Sequence, residues 1–327
     1  MIDRTLFSSD HESFRDSFRK FVEKEIAPFH ADWEEQGYVD RAVWTKAGEN
    51  GFLCMSMPEE YGGSGLGVTE AVIMMHEVAS HGGAMASASS VHINLFGPHP
   101  IVVFGTPEQK ARWIPRLVQG VDQVAFGFTE PDAGLNTTAT KTFAQKVPGG
   151  YVVHGQKVWT STAQVAGKIM LLTRTTRLED CKRPTDGITI FYTDLDRSKI
   201  DVHRIPKMGR KAVDSNALFI DGLFIPEADR IGEEGKGFSY ILHSLNPERL
   251  LVAAEAIAIG QDALRRATDY ARERVVFGRP IGQNQGIQHP LAERWMALEA
   301  AWAMVMKGAW LYDTHQPCGA EANAAKF

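Results

Sequence analysis

The first third of the chain alternates apolar and polar residues with a helical period. In DHESFRDSFRKFVEKEIAPF, apolar residues recur at three- and four-residue steps, namely Phe14, Phe18, Phe21, Val22 and Ile26. This spacing puts the apolar side chains on one face of a helix and leaves the charged ones on the other. We predict an amphipathic helix that is capped by Ser9 or Asp10 and ends at Pro28.

The same period returns in three later segments before residue 120. These segments are VDRAVWTKAGENGFL, VTEAVIMMHEVASHGG and TPEQKARWIPRLVQG, with a turn-rich break, MPEEYGGSGLG, after the first. Clusters of glycine and proline mark breaks between regular elements. The pattern therefore predicts a helical region that runs to about Gly120.

From about Val121 to Asp229 the pattern changes to short runs rich in β-branched and aromatic residues. The runs are VAFGFTE, YVVHGQKVW, KIMLLTRT, GITIFYTD and ALFIDGLFIP, and Gly, Pro and Asp separate them. Such runs, bounded by turn residues, are typical of β-strands. We predict a small β-domain of several strands.

Helical periodicity returns from Gly237. We predict one helix over GFSYILHSL and a second that starts with Asn246 as N-cap and Pro247 at the first helical position. Gly278 and Pro280 end the second helix. A third runs from His289 to about Asp313, and QPCGAEANAAKF then begins a further amphipathic helix, so that the chain is expected to stop within an element.

The order helices, strands, helices predicts an α+β fold. We place an N-terminal α-helical domain at 1–120, a β-barrel-like domain at 121–230 and an incomplete C-terminal helical bundle at 231–327. A chain of 327 residues is long enough to build a core of this size.

Composition excludes several classes of protein. The formal net charge of −5 argues against a nucleic-acid binder, which shows a basic face. Cys54, Cys181 and Cys318 lie far apart and form no metal or redox spacing, which favours a reducing compartment. The first 25 residues are rich in charge, unlike a secretory signal, and no apolar run reaches the roughly 18 residues of a membrane span. We expect a cytoplasmic protein.

Three motifs fail a test of context. GGSGLG at 62–67 follows MPEE rather than a strand, so it is no dinucleotide fingerprint, and GEEGKGF at 232–238 lacks the spacing of a phosphate-binding loop. His76 and His81 lie five residues apart, which separates them by about 140° around a helix. A helical zinc site needs histidines four apart, so we predict no metal site.

Three other motifs combine features of a binding site. AFGFTEPDAG at 125–134 is a strand that enters a turn, where backbone N–H groups become available to a ligand. GQKVWTST at 155–162 is a strand that ends at Trp159 before three hydroxyl residues, and ARERVVFGRPIGQNQGIQ at 271–288 is a basic helix end before a polar loop. Each also has an ordinary interpretation: a common β-turn, a core tryptophan and a helix stop.

Taken in order, these motifs resemble the acyl-CoA dehydrogenase family, and most closely its long-chain type. The matching stretches are TEPDAG, KVWTS, PKMGRKAVDS, EGKGF, NPERLL and YARERVVFGRPI, together with EKEIAPFHADWEEQG and MPEEYGGSG near the start. The resemblance covers nearly the whole chain. It implies a homodimeric or homotetrameric flavoprotein of fatty acid β-oxidation.

The resemblance implies FAD held between the β-domain and the C-terminal helices. The backbone around Phe126, Phe128 and Thr129 would bind the flavin pyrimidine. Trp159 would shield the flavin ring, with Thr160 and Ser161 beside its reactive edge. The residues implied to meet the FAD of a neighbouring subunit are Arg274, Phe277 and Gln285. Arginine suits the pyrophosphate because its guanidinium binds two oxygens at once.

The family forms a double bond between Cα and Cβ of an acyl-CoA thioester, which yields the trans-2-enoyl-CoA. A carboxylate removes a Cα proton while hydride passes from Cβ to the flavin. In the long-chain and isovaleryl types the base stands in an E-R-L setting, which here matches Glu248. At a helix start the dipole would favour its carboxylate, and burial beside an acyl chain would oppose that charge. The ordinary interpretation of Glu248 is a first-turn glutamate.

The resemblance also assigns substrate contacts to Leu135, Asn246 and Arg249. Leu135-Asn136 stands where the family usually has Ser-Asp, so a hydroxyl contact to the CoA portion is missing. The last helices of the family's bundle, with a glycine-rich FAD contact, are also missing, and the chain is expected to be truncated. An exposed apolar bundle face would then be open to association.

Three functions stay open at this point. The first is an acyl-CoA dehydrogenase that passes electrons to an electron-transferring flavoprotein, with a longer acyl chain favoured by the NPERLL, KMGRKAVDS and HADWEEQG segments. The second is a flavin oxidase or monooxygenase on the same fold. The third is a non-catalytic interaction protein derived from such an enzyme.

Overall fold

The computed structural model describes residues 7–83, 86–89, 91–92 and 97–327. Within them, helices lead and follow a block of strands, which confirms the predicted α+β class. The helices are α1 (Ser9–Glu25), α2 (His30–Gln36), α3 (Arg41–Glu49), α4 (Val68–His81), α5 (His99–Phe104), α6 (Pro107–Val118), α7 (Gly237–Glu273), α8 (Gln285–Asp313) and α9 (Gly319–Lys326).

The strands lie almost wholly in the predicted β-region. They are β1 (Val124–Gly127), β2 (Phe143–Val147), β3 (Gly150–Ser161), β4 (Lys168–Arg174), β5 (Ile188–Asp194), β6 (Ile200–Arg204), β7 (Ser215–Pro226), β8 (Arg230–Ile231), β9 (Val275–Val276) and β10 (Arg279–Pro280). In the described part of the chain, eight of them form one sheet in the order β6-β7-β3-β2-β4-β5-β8, with β1 beside β4. β9 and β10 form a separate hairpin.

The chain divides into two compact units that do not follow its order. The first unit combines Met1–His30, Gly67–Ala88 and Asn246–Phe327, and the second combines Ala31–Leu66 and Ser89–Leu245. Helix α7 begins in the second unit and continues in the first. The predicted domain boundaries near residues 120 and 230 stay a prediction.

Two carboxylates connect helices of the first unit. Glu77 of α4 accepts a hydrogen bond from Arg19 Nε of α1 at 2.8 Å, and the Nδ1 atoms of His76 and His81 lie 3.7 and 3.3 Å from it. At the other end of α4, Asp313 accepts from the backbone N–H groups of Val68 and Thr69 at 2.7 and 2.9 Å. These N–H groups belong to the first turn, which has no partner inside its own helix. Asp313 therefore caps α4 from the end of α8.

Gly67 leaves room for the Asp313 cap. A Cβ at residue 67 would stand 2.7 Å from the Asp313 carboxylate, closer than real Cβ contacts. A side chain here would displace the acid from the helix start. The glycine-rich break that the sequence shows before α4 thus has a packing role at its last residue.

In the part of the second unit that the structure describes, two apolar cores lie around the sheet. One contains Trp113 and Ile114 of α6 with Met170 and Ile190 of the sheet, and the other contains Tyr151, Val153 and Leu171. Strands β4 and β5 are buried along nearly their whole length. A strand buried on both faces has a continuous apolar run, which explains why KIMLLTRT and GITIFYTD do not alternate.

Two predictions about helix starts were wrong. The cap of α1 is Ser8 rather than Ser9 or Asp10: its side chain accepts from His11 N–H, and His11 accepts from Ser8 N–H. Asn246 is not an N-cap, because α7 runs without a break from Gly237 through Pro247 to Glu273. Proline removes one helical hydrogen bond there, and the helix has buried residues on both sides of it, such as Ile241 and Leu250.

Candidate active site

Two of the candidate motifs meet in the second unit. The N–H of Val158, on β3, donates to the carbonyl of Thr129 at 2.9 Å, just beyond the end of β1. The turn of AFGFTEPDAG therefore lies against the tryptophan-bearing end of GQKVWTST. The rings of Phe126 and Phe128 stack beside it with centroids 3.9 Å apart.

Trp159 has an unusual backbone and an exposed side chain. Its φ is +59°, and 59% of its surface is open. The pairing of β3 with β7 shifts register between Lys157 and Thr160, which is a bulge that turns one side chain out of the sheet. A left-handed conformation is strained for a bulky residue and persists only where the surrounding structure imposes it, so the fold itself holds the indole outside. The alternative of a core tryptophan is wrong.

The hydroxyl residues after Trp159 differ in access. Thr160 is 1% exposed, and its carbonyl accepts from the Asn216 side chain at 2.9 Å. Within the described residues, its Oγ1 has no hydrogen-bond partner. Ser161 is half-buried at the last position of β3. The structure thus leaves Ser161 more accessible than Thr160.

A buried ion pair that the sequence did not reveal lies under this turn. Lys157 Nζ is 2.7 Å from Glu130 Oε1 and 3.2 Å from the carbonyl oxygen of Phe128. Both side chains are almost fully buried. Desolvation lowers the pKa of Lys157 to about 8, although the charge of Glu130 opposes the shift. Sequence spacing gives no sign of the pair, because its members are 27 residues apart.

Leu135 stands at the tip of the same loop. It is fully exposed, two residues after Ala133, which closes the turn by a backbone bridge to Glu130. An apolar side chain held in solvent makes no contribution to the core. The residue is therefore available for an external contact.

Glu248 lies in the first unit, well inside α7. It stands eleven residues after Gly237, about three turns into the helix. The expected effect of the helix dipole on its carboxylate is therefore wrong, because that effect fades within the first turn. Glu248 is half-buried, and the apolar residues Leu250 and Leu251 that follow are buried. The ordinary interpretation as a first-turn glutamate fails for the same reason.

The neighbours of Glu248 on α7 contact each other. Arg249 Nη1 donates to Asn246 Oδ1 at 3.0 Å, and both side chains are half-buried. The polar side of this helix segment is thus ordered by its own residues. An ordered guanidinium and amide are suited to holding a polar substrate group.

The remaining predicted residues surround the hairpin after α7. Arg274 follows the last residue of α7, Phe277 lies between β9 and β10 with a φ of +53°, and Gln285 opens α8. All three side chains are exposed, Phe277 completely. The backbone of Arg274 is fixed by hydrogen bonds at both ends, to Tyr270 and from Ile281, each at 2.8 Å. The hairpin therefore presents an aromatic ring and a cation on a rigid turn.

The histidines of α4 serve the Glu77 ion-pair cluster. His81 interacts with Glu77, and His76 Nε2 is 2.7 Å from Gln261 Oε1. In the ranges that the structure describes, no three His, Cys, Asp or Glu side chains form a group that could hold a metal ion. Within the same ranges, no helix has the length and apolar character to cross a membrane.

Sequence models of one enzyme family match all three parts of the chain. The acyl-CoA dehydrogenase N-terminal domain matches residues 8–121, the middle domain residues 125–223 and the C-terminal domain residues 235–327. The chain belongs to the acyl-CoA dehydrogenase family. It is accordingly an oxidoreductase of the acyl-CoA dehydrogenase type, which confirms the resemblance seen in its motifs.

Individual relatives and solved structures are also similar to this chain. The chain is 32% identical over 325 residues to the long-chain specific acyl-CoA dehydrogenase of Rattus norvegicus mitochondria, covering 99% of this chain and 75% of the relative. A crystal structure of an acyl-CoA dehydrogenase from Geobacillus kaustophilus matches with a TM-score of 0.93 at 31% identity, over 99% of this chain and 84% of that one. A chain from a structure of the electron transferring flavoprotein of Acidaminococcus fermentans matches with a TM-score of 0.91 at 28% identity, over the same shares.

The chemistry of the second unit fits the flavin that the family resemblance implies. An exposed indole plane stands beside a strand end where the N–H of Thr129 points away from Lys157, because the carbonyl of Phe128 accepts from Lys157 Nζ. A flat heterocycle with ring nitrogens and carbonyls needs both features. The assignment of individual residues to cofactor, substrate and catalysis stays a prediction.

Proposed function

We propose that the chain binds FAD and converts an acyl-CoA thioester to the trans-2-enoyl-CoA. The observation that supports this most is the match of all three domains of an acyl-CoA dehydrogenase over residues 8–327, with only short gaps. The arrangement around Trp159 is consistent with it, because the exposed indole and the neighbouring turn form a surface for a flat ring.

The proposal gives the flavin-binding role to the second unit. Bound FAD supplies a two-electron acceptor for hydride. The backbone of Phe126, Phe128 and Thr129 would hold the pyrimidine edge by hydrogen bonds, and Trp159 would cover one face and exclude water. Ser161, which is half-buried, is better placed to donate than the side chain of buried Thr160.

Glu248 is proposed as the base that takes the Cα proton. A half-buried carboxylate among buried leucines is screened from water, which raises the strength of a placed base. Asn246 and Arg249, ordered by their mutual hydrogen bond, would hold polar atoms of the substrate. The proposed acyl chain is a long one, supported by the NPERLL segment and by the long-chain specific relative.

The reaction is tested by adding acyl-CoA esters of increasing chain length to the FAD-loaded protein without oxygen. Loss of flavin absorbance, together with a product two hydrogens lighter by mass spectrometry, is expected. A flavin that no acyl-CoA bleaches would contradict the proposal. Rapid oxygen consumption after bleaching would instead favour an oxidase.

An electron-transferring flavoprotein is proposed as the acceptor of the electrons. The likeness to a chain in the Acidaminococcus fermentans structure supports this choice. Turnover of acyl-CoA should rise when a purified electron-transferring flavoprotein is added. No increase over the rate with oxygen alone would exclude it.

Leu135→Ser is expected to lower KM for acyl-CoA several-fold. The substitution restores a hydroxyl that the family usually places here, and one hydrogen bond contributes about 1 kcal/mol. The exposed position of Leu135 means that the fold should not change. Steady-state kinetics with a CoA ester and with the matching N-acetylcysteamine thioester measure the effect. Equal gains for both thioesters would show that the new hydroxyl does not contact CoA.

Arg274→Met is expected to weaken FAD binding about tenfold, because a charge-assisted hydrogen bond contributes roughly 1.5–3 kcal/mol. This follows if Arg274 reaches the FAD of a second subunit in a homodimer or homotetramer, as proposed. Arg272→Met on the same helix end is the control, since Arg272 is also exposed but pairs with Asp269. Titration of FAD fluorescence gives both affinities. Equal affinities in the two variants would contradict the role of Arg274.

A further inference from the structure

Lys157 is a charged side chain in a buried environment, where the loss of hydration destabilises a charge. It is 0% exposed within the second unit, and its Nζ reaches two oxygens, Glu130 Oε1 at 2.7 Å and the Phe128 carbonyl at 3.2 Å. A buried ion pair often contributes little to stability, because desolvation offsets the attraction. We therefore explain the burial of Lys157 by its hydrogen bond to the backbone carbonyl of Phe128 and not by a gain in stability.

Glu130 is held from three directions. Besides Lys157, it accepts from the backbone N–H of Lys141 at 2.7 Å and of Thr142 at 3.0 Å. These bonds join the turn after β1 to the segment that enters β2. Burial favours the neutral acid, but the charge and hydrogen bond of Lys157, together with the hydrogen bonds from Thr142 and Lys141, outweigh it and lower the pKa of Glu130. The carboxylate thus stays charged and fixes Lys157 in turn.

Two successive carbonyls of the turn point toward β3. The Phe128 carbonyl accepts from Lys157 Nζ, and the Thr129 carbonyl accepts from Val158 N–H. In a trans peptide the C=O and the following N–H point in opposite directions. Because the carbonyl of Phe128 faces Lys157, the N–H of Thr129 faces away from it. Lys157 thereby sets the direction of one backbone donor.

We propose that Lys157, braced by Glu130, is a positioning residue that aims the Thr129 N–H at an acceptor atom on the flavin pyrimidine. This inference rests on the proposed function, because it takes FAD to bind at the turn beside Trp159. It adds two residues outside the cofactor-binding set predicted from sequence. Neither side chain touches the cofactor, since both are buried.

Arg174 is a second buried cation in the same sheet. Its guanidinium donates to the carbonyls of Thr140, Asp186 and Pro184 at 2.9, 2.9 and 2.7 Å, and it is 2% exposed. None of these carbonyls belongs to the turn at residues 128–130. Arg174→Met is therefore a matched control for the loss of a buried cation.

The test compares Lys157→Met with the double variant Lys157→Met/Glu130→Gln. The single variant leaves Glu130 charged and unpaired, which lowers the melting temperature. In the double variant the uncharged amide at position 130 keeps one oxygen, which can accept from Lys141 or from Thr142 but not from both, so the melting temperature of the FAD-free protein should recover in part. Both variants are expected to bind FAD at least tenfold more weakly than the wild type and to shift the flavin midpoint potential.

The outcomes separate this inference from the proposed function. Wild-type FAD affinity and potential in the folded double variant would overturn the positioning role and leave the proposed function intact. A wild-type protein that binds no FAD would overturn the proposed function itself. Arg174→Met should lower the melting temperature and leave the midpoint potential of bound FAD unchanged; an equal shift there would also overturn the positioning role.

A measurement on the wild type needs no variant. Hydrogen exchange with residue resolution should show the Thr129 amide exchanging in the FAD-free protein and protected after FAD is added. An amide whose exchange is the same in both states would overturn the inference, even if the Lys157 variants did not fold.

Discussion

Replacing Glu248 by Gln should lower the rate of flavin reduction by acyl-CoA at least about a hundredfold, the effect of removing a placed base. The amide matches the carboxylate in size and cannot accept the Cα proton. Because Glu248 is half-buried on a continuous helix, the fold and the FAD content should not change. Anaerobic stopped-flow absorbance of the flavin measures the rate.

A second measurement isolates the proton step. Wild-type protein in D₂O should exchange the α-hydrogens of a bound acyl-CoA, and Glu248→Gln should not, as followed by NMR or mass spectrometry. Glu255→Gln is the matched control, because it makes the same isosteric change at a buried acid seven residues further along α7. We expect its rate of flavin reduction to stay within a few-fold of the wild type. Reduction by Glu248→Gln at the rate of this control would place the base elsewhere.

Replacing Glu77 by Ala should lower the free energy of unfolding by about 3 kcal/mol, the loss typical of breaking a buried ion pair from one side. Glu77 is 2% exposed and joins Arg19 of α1 to His81 of α4, with Arg15 Nε at 3.5 Å. Removing it leaves several cations near one another without their anion. Urea denaturation followed by circular dichroism measures the change.

The effect of Glu77 should depend on pH in a defined window. Burial raises the pKa of Glu77, but hydrogen bonds from His76, His81 and Arg19 outweigh burial and hold it well below its usual value of 4.5. This stabilisation is therefore present above pH 4.5 and is lost as pH falls. The Glu77 hydrogen bond raises the pKa of His81 above 6.5, so its contribution is present below pH 6.5 and is lost as pH rises. The difference between wild type and Glu77→Ala should be largest between these two values.

Glu12→Ala is the control for Glu77. Glu12 pairs with Arg15 on the surface of α1 and has 51% of its side chain exposed. Exposed pairs contribute about 0–1 kcal/mol, so this variant should unfold almost like the wild type. A Glu77→Ala protein that matched Glu12→Ala at a pH of about 5.5, inside that window, would show that the buried cluster does not stabilise the unit.

Much of the fold could be predicted because its patterns are local. Helix α1 and strands β4 and β5 follow from residue spacing and from runs of β-branched residues, which act over a few positions. Strands β2 and β6 were missed, because FAQKV and IDVHR are short and mix charge with apolar residues. Their pairing with longer neighbours, rather than their own propensity, makes them strands.

The start of α7 shows why local rules fail at a junction. Asn246 and Pro247 form a good helix start, and nothing local to the sequence shows that GFSYILHSL continues into it. The choice between one helix and two depends on packing, which the chain pattern does not contain. Glu248 was identified as the candidate base from the family resemblance. The expected effect of the helix dipole on its carboxylate was wrong, because the helix does not start beside it.

The site was predictable as two motifs but not as an assembly. The turn at 125–134 and the strand end at Trp159 were each recognised, whereas the Lys157–Glu130 pair depends on strands that meet only after folding. The exposure of Trp159 also depends on a bulge in the pairing of β3 with β7. No residue of β3 indicates this bulge in the sequence. Contacts between residues that are distant in the sequence cannot be predicted from the spacing of residues within a motif.

The cap that Asp313 places on α4 has a consequence for synthesis of the chain. The two residues that Asp313 serves, Val68 and Thr69, leave the ribosome some 245 residues earlier. The sheet-bearing unit ends at Leu245 and holds all of its strands before Asp313 has been translated. We therefore expect the β-rich unit to fold first during synthesis, and the first turn of α4 to keep its N–H groups in water until Asp313 has been translated.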